Sequence, residues 1–189
     1  MKPIRADRFM FERGLTRQII GKVLDREPGS MEFERLEGGK PRLIESNLLH
    51  FNLSHCKDLF VLATSTEVEL GVDVERTQRS NNLERIALHY FSDEEIDLLT
   101  SDPKQFEFRF THLWTAKESI GKLIGTGISK TFLKNATKIE DTVVAPNLEW
   151  LQSEVSCSSY ERTSHLLSIA CKTDLNPTIN IHDDGWRRI

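Results

Sequence analysis

The chain has 189 residues, with 25 Lys plus Arg against 29 Asp plus Glu and a formal net charge of −4 at neutral pH. With 38% hydrophobic and 29% charged residues it reads as an ordinary globular chain of one domain or two small halves sharing a core, neither disordered nor fibrous. The acidic balance argues against a generic nucleic-acid binder, whose phosphate-neutralising surface makes such domains basic.

The charge is uneven along the chain. Lys2, Arg5, Arg8, Arg13, Arg17, Lys22 and Arg26 stand against only Asp7, Glu12 and Asp25 in the first 26 residues. A basic arm on an acidic body suggests a local anion site. Met1 to Arg5 is polar, so no secretory signal is expected, and no apolar run approaches a membrane span. Cys56, Cys157 and Cys171 are odd in number and lack metal-ligand spacing, which favours reduced thiols and a cytoplasmic protein.

From Ala6 to Leu24, apolar residues recur at helical spacing, with Arg13 and Arg17 on one face. Asp25 to Glu45 is polar and turn-rich, broken by Pro28-Gly29 and Gly38-Gly39-Lys40-Pro41. Phe51–Leu53 and Leu59–Ser65 read as two strands joined by a short loop. Val68 to Glu75 alternates, with Val68, Leu70, Val72 and Val74 on one face and Glu69, Gly71, Asp73 and Glu75 on the other. Ser92-Asp93-Glu94-Glu95 is a capping box that starts a helix. Pro103 sits where a first helical turn would, opening a longer helix that ends before Gly125. Segments around Val143, Leu148–Leu151, Val155 and Leu166–Cys171 read as further strands. Helices and short strands mix without a βαβ rhythm, so the expected class is α+β.

Three groups of residues carry chemistry. On a strand, Asp73 and Glu75 lie roughly 6.5–7 Å apart on one face. Two such carboxylates can converge on one hard cation such as Mg²⁺, with Gly71 leaving room for a ligand; the plainer reading is an acidic face turned to solvent. In Trp114-Thr115-Ala116-Lys117-Glu118-Ser119-Ile120-Gly121-Lys122, Glu118 and Lys122 share a helix face. Glu118 would complete a three-carboxylate cradle, or the pair is a surface helix stabiliser. Ser54 and His55 at a strand end offer hydrogen bonds to a phosphate, or are a turn serine and a surface histidine. A Ser-His hydrolase is disfavoured, because the two are adjacent in sequence and no Gly-x-Ser-x-Gly elbow is present.

Taken in order, Ser54-His55, Gly71-Val72-Asp73-Val74-Glu75, Phe91-Ser92-Asp93-Glu94-Glu95 and the Trp114–Lys122 helix resemble the 4'-phosphopantetheinyl transferases. The likeness is to the broad-specificity single-chain type that activates peptide and polyketide synthases such as surfactin synthetase. Arg8-Phe9, Gly39-Lys40-Pro41 and Asn52-Leu53 extend it. The resemblance implies a pseudo-twofold monomer of two similar halves, residues 1–67 and 68–189, each a helix on a small, mostly antiparallel sheet. It implies coenzyme A between the halves and transfer of its phosphopantetheine to a serine of an apo acyl or peptidyl carrier protein, releasing 3',5'-ADP. Asp73, Glu75 and Glu118 would hold Mg²⁺ (or Mn²⁺). Glu118 and Lys122 would be catalytic, Glu118 in deprotonating the serine and Lys122 in neutralising or protonating the leaving group. Lys117, Ser54 and His55 would touch phosphate, Gly39, Lys40 and Pro41 would lie near the adenine, and Lys2, Arg5 and Arg17 would hold the 3'-phosphate. Neither nucleic acid nor membrane is an expected partner. The rival readings are a binding module for coenzyme A or a carrier protein without turnover, and an unrelated Mg²⁺-dependent phosphohydrolase.

Overall fold

The computed structural model describes residues 3–44, 49–77, 82–125, 137–140, 143–146, 155–172, 178–182 and 187–188. Side chains are described from residue 8 onward, except in 137–140, 143–146 and 187–188. Helix α1 spans Pro3–Leu24, three residues longer than its apolar spacing predicts. Proline fits a first helical turn, where its missing N–H has no partner to lose. The helix ends as Asp25 turns to a left-handed φ of 51°. The polar stretch that follows is not all loop. It holds a hairpin of β1 (Phe33–Arg35) and β2 (Pro41–Leu43), closed by Gly38 and Gly39 at φ of 89° and 85°. Only glycine takes that conformation cheaply, and a Cβ on Gly38 would lie 2.3 Å from the Gly125 carbonyl oxygen.

Strands β3 (His50–His55) and β4 (Phe60–Ser65) pair antiparallel, as their apolar runs predict. Beneath α1, Ile20, Met31, Leu43, Leu49 and Phe51 form one core. The next strand, β5 (Leu70–Arg76), lies at one edge of a four-stranded antiparallel sheet with β8 (Val155–Arg162), β9 (His165–Lys172) and β10 (Arg187–Arg188), in the order β10-β8-β9-β5. Strands β6 (Thr137–Glu140) and β7 (Val143–Pro146) form a separate pair. The expected strand at Leu148–Leu151 lies outside the described residues.

Among the described residues, three helices cover the C-terminal part. Helix α2 (Leu83–Tyr90) has no counterpart in the sequence reading, although Leu83, Ile86, Ala87 and Tyr90 have helical spacing. Helix α3 (Asp93–Thr100) begins at the predicted capping box. The Ser92 hydroxyl accepts from the Glu95 N–H, and the Glu95 carboxylate accepts from the Ser92 N–H. Helix α4 (Phe106–Ile124) starts three residues later than expected, because Pro103 lies in a turn before it and not in its first turn, and it packs on β5 and β9.

The alternation in β5 is realised with both faces covered. Leu70, Val72 and Val74 pack with Leu167 and Ile169 on the side where Leu59, Val61 and Ala63 close the core. On the α4 side, Ala116, Ile120 and Leu123 meet Cys157 and Ala170. Gly71 faces α4, and this corrects the expectation that it leaves room for a ligand. A Cβ there would sit 2.0 Å from the Ser119 carbonyl oxygen and 2.4 Å from the Leu123 nitrogen. The glycine is the condition for helix and strand backbones to approach each other. The fold is α+β, with helices and small antiparallel sheets.

Candidate active site and family membership

The site is organised by β3, a strand with two faces. Its even residues turn toward β5. The Asn52 side-chain oxygen accepts the Val72 N–H at 2.9 Å, and the Ser54 hydroxyl accepts the Val74 N–H at 3.3 Å. These amides lie on the edge of β5 away from β9, so two side chains take the place of a paired strand. The odd residues Phe51, Leu53 and His55 line a cleft on the opposite side.

On the β5 side, the Ser54 hydroxyl donates to Asp73 Oδ1 at 2.8 Å. The Lys122 ammonium reaches the same oxygen at 2.7 Å and Ser54 Oγ at 2.9 Å. The other oxygen of Asp73, Oδ2, is buried and has no hydrogen-bond partner among the described residues. An ionised oxygen in that state costs free energy unless a cation faces it. Burial raises the pKa of Glu118 to about 7, with the charges of Asp73 and Glu75 adding to the rise and Lys122 opposing it. Glu75 is raised for the same reasons, burial first and then Asp73. Three carboxylates thus share one field. Their oxygens stand apart; among the described residues the trio whose ligand atoms gather within 4.8 Å is Cys56, Asp58 and His165. An inner oxygen without a partner among the described residues, and two carboxyls raised by burial and then by neighbouring negative charge, suit a divalent cation with oxygen ligands.

Across β3, the cleft has a volume of about 290 Å³ and is formed by α1, the β1–β2 hairpin and β3. Arg13 and Arg17 stand over the rings of Phe9 and Phe33, at 5.3 and 4.8 Å. Arg35 joins them, with Phe51, Gly39, Pro41 and His55 on the other walls. His55 Nδ1 lies 3.5 Å from Glu12. Aromatic faces and guanidinium groups suit a planar, anionic ligand.

The expected site residues divide accordingly. Asp73, Glu75, Glu118 and Lys122 come together, and Ser54 joins them by holding Asp73. Gly39, Pro41, His55 and Arg17 meet in the cleft. Arg17 also has a local task, since its Nη1 donates to the carbonyl oxygens of Pro28 and Met31 at 2.9 and 2.7 Å. Two lysines lie elsewhere. Lys40 donates to the carbonyl oxygens of Leu70 and Leu123 at 3.1 and 3.2 Å, binding the hairpin to β5 and α4. Lys117 was expected at a phosphate, but it is 1% exposed, 2.8 Å from Glu95 and over the Phe91 ring. It precedes Glu118 by one residue, so the helix turns it about 100° away, toward α3. Lys2 and the side chain of Arg5 lie outside the described residues. Asn52, Arg13, Phe33 and Arg35 were not singled out as site residues; for Arg13 the signal was its shared helix face with Arg17.

Comparison with known proteins agrees with this geometry. The family model of the 4'-phosphopantetheinyl transferase superfamily matches residues 69–174, from before β5 to beyond β9. The chain is 38% identical over 133 residues to the 4'-phosphopantetheinyl transferase HetI of a Nostoc species, covering 68% of this chain and 56% of that protein. It is 36% identical over 138 residues to the transferase psf-1 of Bacillus pumilus, covering 68% and 58%. To the transferase Sfp of Bacillus subtilis it is 34% identical over 116 residues, covering 61% and 50%. The matched regions thus span little more than half the length of these curated relatives. With the motif strand β5 and the motif helix α4 both inside the matched region, the chain belongs to the 4'-phosphopantetheinyl transferase superfamily.

Proposed function

We propose that this protein transfers the 4'-phosphopantetheine group of coenzyme A to a serine of an apo acyl or peptidyl carrier protein, releasing 3',5'-ADP. The observation that carries the reading is the buried, unpartnered Oδ2 of Asp73 beside Glu75, Glu118 and Lys122, in a chain of this superfamily. Asp73, Glu75 and Glu118 would hold Mg²⁺, or Mn²⁺ in its place. When bound, that cation neutralises charge on the pyrophosphate under attack.

The remaining work falls to the chain's own groups. The Glu118 carboxylate, on the helix face turned to Asp73 and Glu75, would take the proton of the attacking serine hydroxyl. Lys122 Nζ is held on Asp73 Oδ1 by attraction and can donate to the departing phosphate. Ser54 orients Asp73 and leaves its own chemistry to that role. The Arg- and Phe-lined cleft across β3, with Gly39, Pro41 and His55, suits the adenine nucleotide end of coenzyme A. On this reading residues 1–67 supply the nucleotide walls, residues 68–189 supply the reacting groups, and the protein works as a cytoplasmic monomer.

The test is incubation with coenzyme A, Mg²⁺ and an apo carrier domain, followed by intact mass measurement of the carrier. A gain equal to one phosphopantetheine group, absent for a carrier whose serine is replaced by alanine, is the expected result. Cleavage of coenzyme A without carrier modification would instead point to a phosphohydrolase. Binding without turnover of either would point to a binding module.

A further inference from the structure

Outside the carboxylate cradle lies a second group of metal-ligating side chains. Cys56 and Asp58 sit in the turn between β3 and β4, and His165 opens β9. Cys56 Sγ is 3.8 Å from Asp58 Oδ1, and His165 Nε2 is 3.1 Å from the same oxygen. All three ligand atoms lie within 4.8 Å of one another. Tetrahedral zinc, with bonds of about 2.0–2.3 Å, sets neighbouring ligand atoms about 3.3–3.5 Å apart. The two measured separations bracket that spacing.

The three groups are held by rigid parts of the fold. The turn is clamped at Cys56, whose N–H donates to the Leu59 carbonyl oxygen at 3.0 Å. The Cys56 carbonyl oxygen accepts from Arg8 Nη2 at 2.6 Å. His165 is paired in register with Arg76 of β5 and Arg162 of β8. The second oxygen of Asp58 lies 3.6 Å from the Arg76 guanidinium, which leaves Oδ1 turned toward Cys56 and His165. An outer partner on the far oxygen is a common way of orienting a carboxylate ligand.

We propose that Cys56, Asp58 and His165 form a site for a borderline divalent transition ion of the zinc class, separate from the oxygen-only cradle at Asp73. One thiolate sulfur, one imidazole nitrogen and one carboxylate oxygen select against Mg²⁺ and leave a fourth position for water. The bound ion ties the β3–β4 turn to the sheet that carries β5. It thereby holds Ser54, near the end of β3, against Asp73. Binding displaces the thiol proton of Cys56 to solvent.

The test is titration of the reduced, metal-free full-length protein with Co²⁺ alone, read by the thiolate-to-cobalt charge-transfer band and the intense visible bands of tetrahedral cobalt. The expected result is saturation at one equivalent, displacement by Zn²⁺ and no displacement by excess Mg²⁺. Cys56→Ser should abolish the charge-transfer band, and His165→Asn should weaken Co²⁺ binding by more than about tenfold. Asp73→Ala should retain both. Metal-free melting temperatures of the variants, compared with the parent, establish that they are folded. If either site variant fails to fold, Zn²⁺-dependent protection of the 56–59 backbone amides in the parent reads the same site. Absence of the band at stoichiometric Co²⁺, its survival in Cys56→Ser, or its loss to Mg²⁺ would overturn the proposal and leave Asp58 and His165 as a hydrogen-bonded pair only. Cys157 and Cys171 are 2% and 4% exposed, so a band that disappears in Cys56→Ser is credited to Cys56.

Discussion

Replacing Glu118 by glutamine should stabilise the metal-free protein, and only above a definable pH. In the fold its carboxyl is raised from the ordinary 4.5 to about 7, by burial first and then by the charges of Asp73 and Glu75. A carboxyl raised in this way contributes its full stability below about pH 4.5 and loses it as the pH climbs through about 7, because the unfolded chain gives up the proton first. At about 1.4 kcal/mol per pKa unit the ceiling is about 3.5 kcal/mol. Glu118 is only partly buried, and solvent screening brings the expectation to about 2 kcal/mol. The assay is urea denaturation of the parent and Glu118→Gln, in chelator, from pH 4.5 to 8.5. Their stabilities should agree at the acid end, diverge between pH 4.5 and 7, and stay about 2 kcal/mol apart above that in favour of the glutamine variant. Mg²⁺ at pH 8 should narrow the gap by stabilising the parent, since a cation favours the ionised cluster. Parallel curves, or a glutamine variant less stable throughout, would refute the picture of three carboxylates in mutual repulsion.

Lys117→Met leaves the buried Glu95 without its 2.8 Å partner and should cost about 3–5 kcal/mol in chemical denaturation. If Lys117 were instead a phosphate ligand, the loss would appear as a raised KM for coenzyme A with stability unchanged. Gly71→Ala sets a methyl group 2.0 Å from the Ser119 carbonyl oxygen and should destabilise by at least about 1–3 kcal/mol, seen as a lower Tm. Lys122→Met should lower kcat for carrier modification by about 10²–10⁴, with circular dichroism unchanged. An effect on KM alone would place Lys122 in binding and not in the reacting set.

How much of this was legible in the sequence depends on how local each cause is. The alternation of β5, the capping box of α3 and the periodic face of α4 arise from side chains within a few positions of one another. Pattern and spacing therefore put Asp73 and Glu75 on one strand face and Glu118 and Lys122 on one helix face, and the family resemblance joined the two pairs. The β1–β2 hairpin escaped because strands of three residues are too short to show alternation, and α2 because its eight residues lack a side-chain cap. For Lys117, Lys40, Ser54 and Gly71, residue type and motif position were known, but the partner was not. Lys117 meets Glu95 because α3 packs over that face of α4, and Lys40 meets two carbonyl oxygens because the hairpin folds back onto β5. Ser54 spans to Asp73 across an edge that no strand pairs among the described residues, and Gly71 admits a helix where an open face was expected. A charged or polar side chain takes whichever partner the packing brings within hydrogen-bond reach. That choice is made between elements distant in sequence, so only the tertiary structure decides it.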